Sequence, residues 1–397
     1  MSDHTGLDGL HPDTLLVHSG TLRSPHGETS EALYLNSGFT YESAAEAEAR
    51  FKGEAEGYVY SRYGNPTVTM FETRIAALEG AEAARGTASG MAAVFASLAS
   101  YLRAGDHVIG AKAVFGASRA IIEEILPRFG IESTVVDGRD LDAWRAAIRP
   151  NTRVLFCESP ANPTLDIVDI EGVAGIAHDA GAILMVDNVF ATPLLQRPLK
   201  FGADVVIYSA TKHIDGQGRC LGGVILSTTK FIEEHVQGFL RQTGPTLSAF
   251  NAWVMLKGLE TLTVRVERES ASAAKIADFL SEQRGIARVM YPGRADHPQA
   301  ALAKRQMASG GPLVAFSLDG DKDATFRFLD ALRVIKISNN LGDAKSLIAH
   351  PATTTHQKLS DEAKAELGIT AGTLRLSVGL EHADDLITDI AQALTKV

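Results

Sequence analysis

Residues 204–213 read DVVIYSATKH, and this stretch decides the fold. Four β-branched or aromatic residues in a row, VVIY, predict a strand that is buried in a parallel sheet. The strand leads into Lys212, which is flanked by the hydroxyl side chains of Ser209 and Thr211. Because ligands of open α/β sheets collect at the carboxyl ends of strands, the pattern predicts a functional lysine. Taken alone, the motif is explained equally well by a solvated, lysine-capped turn.

A second strand end supplies a carboxylate. Lys212 lies 25 residues after Asp187, which follows the apolar run 182–186. A lysine amine can form a Schiff base with a carbonyl, hydroxyls can hydrogen-bond a phosphate, and a buried aspartate can pair with a ring nitrogen. Pyridoxal phosphate (PLP) is the common cofactor that needs these three groups together. The two strand ends therefore predict a PLP site in which Lys212 and Asp187 are catalytic.

The composition is typical of a globular enzyme. The 397 residues are 45% hydrophobic and 22% charged, which suits two or three domains. A net charge of −10 argues against a nucleic acid or an anionic membrane as partner. No apolar run approaches the roughly 18 residues of a membrane span. The amino terminus lacks signal-peptide features, and two cysteines make no disulfide framework, so we expect a cytoplasmic protein.

The predicted elements indicate an α/β fold with a smaller second domain. Residues 1–57 are expected to form an irregular arm, which lies on another part of the protein or on another subunit because it cannot bury a core. Residues 58–256 alternate helices with apolar strands, which predicts a mostly parallel sheet covered on both faces. Residues 257–397 are expected to form an α+β domain. The strands are predicted at 107–109, 131–136, 153–157, 183–186, 205–208, 223–226, 313–318 and 373–378, and helices at 44–52, 249–283, 324–331 and 383–394.

Two further segments could contact the same cofactor from the predicted sheet. Ser89, Gly90 and Met91 open an apolar helix, and the N–H groups at such a helix start can hold a phosphate. Most Ser-Gly helix starts, however, are only caps. Phe115 follows a strand and is expected to take part in catalysis by stacking on the pyridine ring; the alternative is an ordinary core residue.

Two other segments carry polar groups that suit the cofactor. Asn162 lies in ESPANP (158–163), where its amide could hydrogen-bond the phenolic oxygen of PLP. Tyr60 and Arg62 are two residues apart in an extended segment and so share one face, as phosphate recognition by a phenol and a guanidinium requires. The alternative for this pair is a surface loop with a solvated arginine.

Arg375 stands inside the apolar run LRLSV (374–378) and requires an anion. A substrate carboxylate would meet this requirement, and so would a structural salt bridge.

His350 and His356 lie six residues apart with no cysteine or acidic ligand beside them, so we expect no metal site.

The motifs SGM (89–91), ESPANP (158–163), VDN (186–188), SATKH (209–213), SLIAHPATTTH (346–356) and LRLSVGLE (374–381) occur in this order. Over nearly its whole length the chain thereby resembles the Cys/Met-metabolism PLP enzymes. The resemblance implies the α/β architecture of PLP-dependent transferase fold type I and a homotetramer built from two dimers.

The resemblance also implies roles for the motif residues. It makes Lys212 the residue bonded to PLP, Asp187 the partner of the pyridine nitrogen and Asn162 the partner of O3′. The phosphate would be bound by the residues of two turns and by a pair from the neighbouring subunit: Ser89, Gly90, Met91, Ser209 and Thr211, with Tyr60 and Arg62. The substrate carboxylate would be bound by Arg375, with help from Ser346 and Asn162.

Three positions that depart from the usual family pattern indicate a branch. The stacking aromatic, usually tyrosine, is Phe115, so the phenol that lyases use in proton handling is missing. The cysteine of methionine γ-lyases is replaced by Ala117. Lys345 stands where a glutamate is common in cystathionine-processing members, and a cation there fits a small anionic nucleophile such as hydrosulfide. These features most resemble the O-succinylhomoserine sulfhydrylases.

The expected function is therefore γ-replacement in methionine biosynthesis, in which O-succinyl-L-homoserine and hydrogen sulfide give L-homocysteine and succinate. Cystathionine γ-synthase, O-acetylhomoserine sulfhydrylase and γ-lyase activities remain alternatives, because all use the same scaffold. The expected partners are small-molecule substrates and other copies of the chain.

Overall fold

A seven-stranded sheet organises the first half of the computed structural model, which describes residues 9–397. In chain order its strands are β1 (Ala83–Thr87), β2 (His107–Ala111), β3 (Glu132–Val136), β4 (Thr152–Glu158), β5 (Ile183–Asp187), β6 (Val205–Tyr208) and β7 (Gly223–Ser227). They lie in the order β1-β7-β6-β5-β4-β2-β3. Strands β2 to β6 are parallel, whereas β7 is antiparallel to β6 and β1 is antiparallel to β7. The predicted mostly parallel sheet is confirmed.

Both faces of this sheet are covered. Every residue of β2, β6 and β7 is buried, and successive side chains of a strand point to opposite faces. The helices of the first part of the chain are α1 (Pro12–His18), α2 (Ala44–Lys52), α3 (Pro66–Glu79), α4 (Gly90–Tyr101), α5 (Gly116–Ala120), α6 (Leu141–Ala147), α7 (Ile170–Asp179), α8 (Thr192–Leu195), α9 (Thr229–Phe231), α10 (Gly238–Thr243) and α11 (Ala249–Leu259). Shorter π or 3-10 turns lie at Ile121–Ile125, Leu126–Phe129, Pro198–Phe201 and Ile232–Gln237.

The carboxyl ends of β4, β5 and β6 meet at one edge of the sheet. The register pairs Glu158 with Asp187, and Asp187 with Ile207. The carboxyl ends of three neighbouring strands therefore lie side by side, where ligands of such sheets bind. Ser89 caps α4 beside this edge, because its hydroxyl accepts the Ala92 N–H at 3.1 Å.

A five-stranded sheet and its helices form the second half of the chain. Its strands are β8 (Ile286–Met290), β9 (Leu313–Leu318), β10 (Lys336–Ile337), β11 (Leu347–Ala349) and β12 (Thr373–Ser377), in the order β10-β11-β12-β9-β8. Only the β10–β11 pair is parallel among these described strands. The helices are α12 (Leu262–Ser281), α13 (Ala300–Gln306), α14 (Lys322–Ala331), α15 (Asp361–Glu366) and α16 (Ala383–Leu394), with a 3-10 turn at Pro351–Thr353.

Helix α12 belongs to both hydrophobic cores. Leu262 and Val266 pack in the core of the first sheet, whereas Ala273 and Ile276 pack in the core of the second. The predicted helix over 249–283 is two helices, because residues 260–261 interrupt it between α11 and α12. The division of the chain at 57 and 256 stays a prediction, since one helix serves two cores. Within residues 9–397, no helix has the length and apolar character that crossing a bilayer requires.

The described part of the amino-terminal arm is held by a buried arginine of α3. Arg74 donates to the Ser19 carbonyl at 2.8 Å and to Glu31 Oε1 at 2.5 Å, and both side chains of this ion pair are buried. Lys257 Nζ also contacts Glu31, at 2.8 Å. The segment 19–31 therefore packs against its own chain, while residues 1–8 of the predicted arm lie outside the described residues.

We expect Arg74→Met to loosen this segment. Breaking a buried ion pair costs about 3 kcal/mol, so amide hydrogens of residues 19–31 should exchange roughly a hundredfold faster. Hydrogen exchange with mass spectrometry checks this. Arg145→Met is the matched control, because that side chain is 58% exposed and its pair with Asp142 should contribute little. Unchanged exchange in Arg74→Met would show that other contacts hold the arm.

Candidate active site

Lys212 lies just beyond β6, at the carboxyl edge of the first sheet. Its N–H donates to the Ser209 carbonyl at 3.2 Å, which closes a turn after the strand. Its Nζ donates to Asn340 Oδ1 at 2.5 Å, in a loop of the second half of the chain. Burial, together with the positive charge of Arg375, lowers the pKa of Lys212 to about 8. The side chain is therefore an amine that can change protonation near neutral pH.

Asp187 ends the neighbouring strand β5 and is buried. Its Oδ1 accepts the Val189 N–H at 3.1 Å. Burial raises the pKa of Asp187 to about 7, because the charged carboxylate loses its hydration. Among the described residues, burial and the Val189 N–H are the groups that shift this pKa, and no cationic side chain contributes. A ligand that brings a protonated nitrogen would supply the missing counter-charge.

Glu158 connects β4 to the predicted stacking residue. Its Oε2 accepts the Phe115 N–H at 2.6 Å, which fixes the start of helix α5, where Phe115 is half-buried. Burial and the neighbouring Asp187 charge raise the pKa of Glu158 well above its usual range, while Arg375 opposes the shift. The carboxyl group thus orients the Phe115 backbone beside Asp187, at the edge where a flat ring could be stacked.

Arg375 brings the second sheet to the same place. Its guanidinium is buried on β12 and donates to Asn162 Oδ1 at 3.1 Å and to the carbonyls of Asn339 and Asn340 at 2.9 and 3.3 Å. Its Nε has no hydrogen-bond partner in the described part of the chain. Burial lowers the pKa of Arg375 to about 10, so it remains charged. A cation with donors to spare suits a substrate carboxylate.

The predicted phosphate-binding turns also come together. Gly90 lies so close to Ser209 that a Cβ on Gly90 would stand 2.5 Å from the Ser209 Cβ, which explains the glycine. Ser89 and Met91 flank it at the start of α4, where the first N–H groups have no helical partner. Thr211 differs, because its hydroxyl already pairs with the backbone of Gly222 at 3.1 and 3.2 Å.

Tyr60 and Arg62 are not brought to the Lys212 site of their own chain. Arg62 donates to the Arg241 carbonyl and stacks over Tyr60 and Tyr63 at 5.3 and 4.9 Å. It lines a separate cavity of about 660 Å³, and Tyr60 is 42% exposed beside it. Their predicted phosphate contact across a subunit boundary stays a prediction.

Ser346 and Lys345 lie on the loop before β11. The Ser346 hydroxyl donates to Glu381 Oε2 at 2.8 Å and accepts the Gly379 N–H at 2.9 Å, so it already has partners. Lys345 is 63% exposed, and its Nζ lies 2.7 Å from Asp343 Oδ1. Substrate contacts of both residues stay predictions.

The structure adds residues that the sequence did not single out. Asn340 accepts a hydrogen bond from Lys212, and Glu158 accepts one from the Phe115 N–H. His356 is buried near Arg375, and burial lowers its pKa to about 4, so it is neutral. No local sequence pattern identifies Asn340 as a site residue, since its partner Lys212 is 128 residues away.

Among residues 9–397 no group of three or more His, Cys, Asp or Glu side chains is placed to hold a metal ion.

The arrangement fits PLP. Lys212 could bond to the aldehyde of PLP, and Asp187 could face its ring nitrogen. The backbone N–H groups at the start of α4, where Gly90 lies against Ser209, could bind its phosphate. An α/β sheet with these groups at its carboxyl edge defines a PLP-dependent enzyme of fold type I.

Comparisons with known proteins lead to the family. The sequence profile of the Cys/Met metabolism PLP-dependent enzyme family matches residues 13–395, and the chain belongs to this family. An O-succinylhomoserine sulfhydrylase of Mycobacterium tuberculosis is 54% identical over 392 residues, covering 98% of this chain and 97% of the relative. That of Pseudomonas aeruginosa is 53% identical over 388 residues, covering 98% and 96%. The resemblance to this branch is confirmed.

A solved structure shows the same fold with the cofactor attached. The putative O-acetylhomoserine (thiol)-lyase of Campylobacter jejuni superposes with a TM-score of 0.94 at 35% identity, covering 97% of this chain and 100% of that one. It contains an N′-pyridoxyl-lysine monophosphate. PLP is therefore the cofactor of this enzyme, as predicted.

We expect Lys212 to carry the cofactor. After borohydride reduction of the holoenzyme and digestion, the pyridoxyl group should be found on the peptide that contains Lys212, because a buried amine of lowered pKa bonds readily to an aldehyde. Lys212→Ala should yield no pyridoxyl peptide. Lys200→Ala, at an exposed lysine, should behave as the wild type. A pyridoxyl group on another peptide would overturn the assignment of Lys212.

Proposed function

We propose that this enzyme catalyses γ-replacement, in which sulfide and O-succinyl-L-homoserine give L-homocysteine and succinate, in methionine biosynthesis. The observation that carries the proposal is 53–54% identity, over 98% of the chain, to relatives named O-succinylhomoserine sulfhydrylase. The solved relative named for an acetyl ester is 35% identical. The site adds support through its amine, its buried guanidinium and its aromatic residue without a phenol.

The residues divide the work as follows. Bound PLP supplies an electron-withdrawing ring that acidifies the hydrogen on the substrate's α-carbon. Asp187 would face the ring nitrogen and favour its protonated form. Arg375 binds the α-carboxylate, with Asn162 beside it at 3.1 Å. Phe115, whose backbone is held by Glu158, would cover one face of the ring.

Lys212 moves the protons. Its pKa of about 8 leaves a neutral fraction that can act as a base near neutral pH. It would take the Cα proton and pass it to the bound cofactor, which frees the amine to take a proton from Cβ. The Cγ–O bond then breaks, and its electron pair leaves with succinate. Hydrosulfide forms the Cγ–S bond, and protons return to Cβ and Cα.

Lys345 and Phe115 bear on different parts of the reaction. Lys345 is the cation expected to attract hydrosulfide, but its exposure and its contact with Asp343 offset much of its charge. Phe115 lacks a phenol that could serve as an additional acid or base at the γ-carbon. Lys345 is therefore expected to attract hydrosulfide weakly and not to bind it through a specific contact.

A two-by-two assay tests the proposal. The succinyl and acetyl esters of L-homoserine are each combined with sulfide or cysteine, and homocysteine and cystathionine are measured directly. We expect kcat/KM for the succinyl ester with sulfide to exceed the other three by about tenfold or more, or about 1.4 kcal/mol. Lys212→Ala is the blank. A preference for cysteine would indicate a cystathionine synthase, a preference for the acetyl ester the other sulfhydrylase branch, and 2-oxobutanoate a γ-lyase.

We also propose that the enzyme is a cytoplasmic homotetramer of two dimers. Arg62 lines a cavity apart from Lys212 and lies over the ring of Tyr60, which supports a role for this pair at the site of a neighbouring subunit. Both cysteines are free thiols, which suits a reducing compartment. In this assembly each site would take most residues from one subunit and the phosphate-binding pair from its partner.

Subunit mixing tests the shared site. Arg62→Ala and Lys212→Ala are each expected to be inactive, but a hybrid dimer would contain one intact site. Random exchange should therefore restore roughly a quarter of wild-type activity, because about half of the dimers are hybrids. Lys212→Ala mixed with Asp187→Ala is the control and should stay inactive, since one chain supplies both residues. No recovery after verified exchange would place Arg62 outside the partner's site.

A further inference from the structure

Lys212 has an uncharged hydrogen-bond partner. Its Nζ lies 2.5 Å from Asn340 Oδ1, and Asn340 sits in the loop between β10 and β11. The Asn340 carbonyl accepts from Arg375 at 3.3 Å, and its N–H donates to Ser338 Oγ at 3.2 Å. One residue thus links the base of the reaction to the guanidinium that is proposed to bind the substrate carboxylate.

An amide oxygen suits an amine that must gain and lose a proton. It accepts an N–H from the lysine in either charge state, and it does not occupy the nitrogen lone pair, which remains free to take a proton. A carboxylate at this distance would hold the lysine in its charged form. An apolar side chain would leave the buried amine without a partner.

We propose that Asn340 is a positioning residue for Lys212, whose Oδ1 holds the free lysine nitrogen with its lone pair directed at the substrate. In each transfer Lys212 takes one proton from a substrate carbon, becomes an ammonium group that is still hydrogen-bonded to Asn340, and then gives the proton up again, so the lysine gains no net proton. The inference rests on the proposed role of Lys212 as proton carrier. It is independent of the leaving group and of the nucleophile.

The charged groups around Lys212 come from three other strands. Arg375 on β12 favours the neutral amine, while the carboxyl groups of Asp187 on β5 and Glu158 on β4 lie at the neighbouring strand ends. The test variants leave these three residues unchanged. A shift in the titration of the lysine nitrogen can then be assigned to position 340.

The first experiment titrates the resting holoenzyme with pH, without substrate. The visible absorption of the cofactor changes when the lysine nitrogen bonded to it gains or loses a proton. Asn340→Asp should raise the midpoint by about one to three pH units, because an anion close to this nitrogen stabilises its charged form. Asn339→Asp is the matched control, since Asn339 is exposed and screening should limit its shift to less than about half a unit.

The second experiment follows proton transfer alone. L-norvaline has an α-hydrogen but no leaving group, and the holoenzyme should exchange this hydrogen for deuterium in D2O, as read by NMR. Asn340→Leu removes the acceptor at similar size and should slow the exchange about tenfold to a hundredfold, because a charge-assisted hydrogen bond is lost. Binding of norvaline, read from the cofactor spectrum, should change less than about threefold.

Two results would overturn the proposal. Exchange within about twofold of wild type in Asn340→Leu would show that Lys212 needs no help from the amide. Equal midpoint shifts in Asn340→Asp and Asn339→Asp would show that position 340 has no special access to the lysine nitrogen. If the enzyme uses a different ester or a different nucleophile from those proposed, both measurements stay the same, because the titration and the norvaline exchange involve no ester and no nucleophile.

Discussion

The burial of the Arg375 guanidinium is the constraint on which the site depends. A buried cation is stable only when hydrogen bonds replace its hydration, and β12 itself provides none of them. The partners come from Asn162 after β4 and from the carbonyls of Asn339 and Asn340 before β11. These contacts bring a strand of the second sheet against the carboxyl edge of the first. The Arg375 guanidinium and the Lys212 amine are thereby held in one place.

Four ionisable groups at this edge share one electrostatic tendency. Burial raises the pKa of Asp187 and Glu158, and it lowers the pKa of Lys212 and Arg375. Each shift favours the neutral form, because charge is poorly solvated in the interior. Charged ligand groups at the proposed positions would act in the opposite direction: a protonated ring nitrogen would stabilise ionised Asp187, and a carboxylate would stabilise charged Arg375. Binding of PLP and of an amino acid is therefore coupled to the charge state of the site.

The sequence predicted those features that depend on local pattern. The strand at 205–208 and the helix at 383–394 have the predicted bounds, and Lys212 and Asp187 follow strands whose apolar character is plain. Strand β1 was missed, because AARGT has little β propensity and is held by pairing with β7. Asn340 was missed because its partner is distant in sequence. Contacts between the two sheets are set by tertiary packing, which a local pattern cannot encode.

The cavity around Arg62 has an electrostatic property that bears on assembly. Arg62, Arg85 and Arg241 line it together, and Glu72 is the acid paired with Arg85. Burial, together with the positive charge of Arg85, lowers the pKa of Arg241. Like charges at a partly buried surface repel one another, and an anion relieves the repulsion. The phosphate of a PLP held by a neighbouring subunit is such an anion, so cofactor binding and subunit association would stabilise each other.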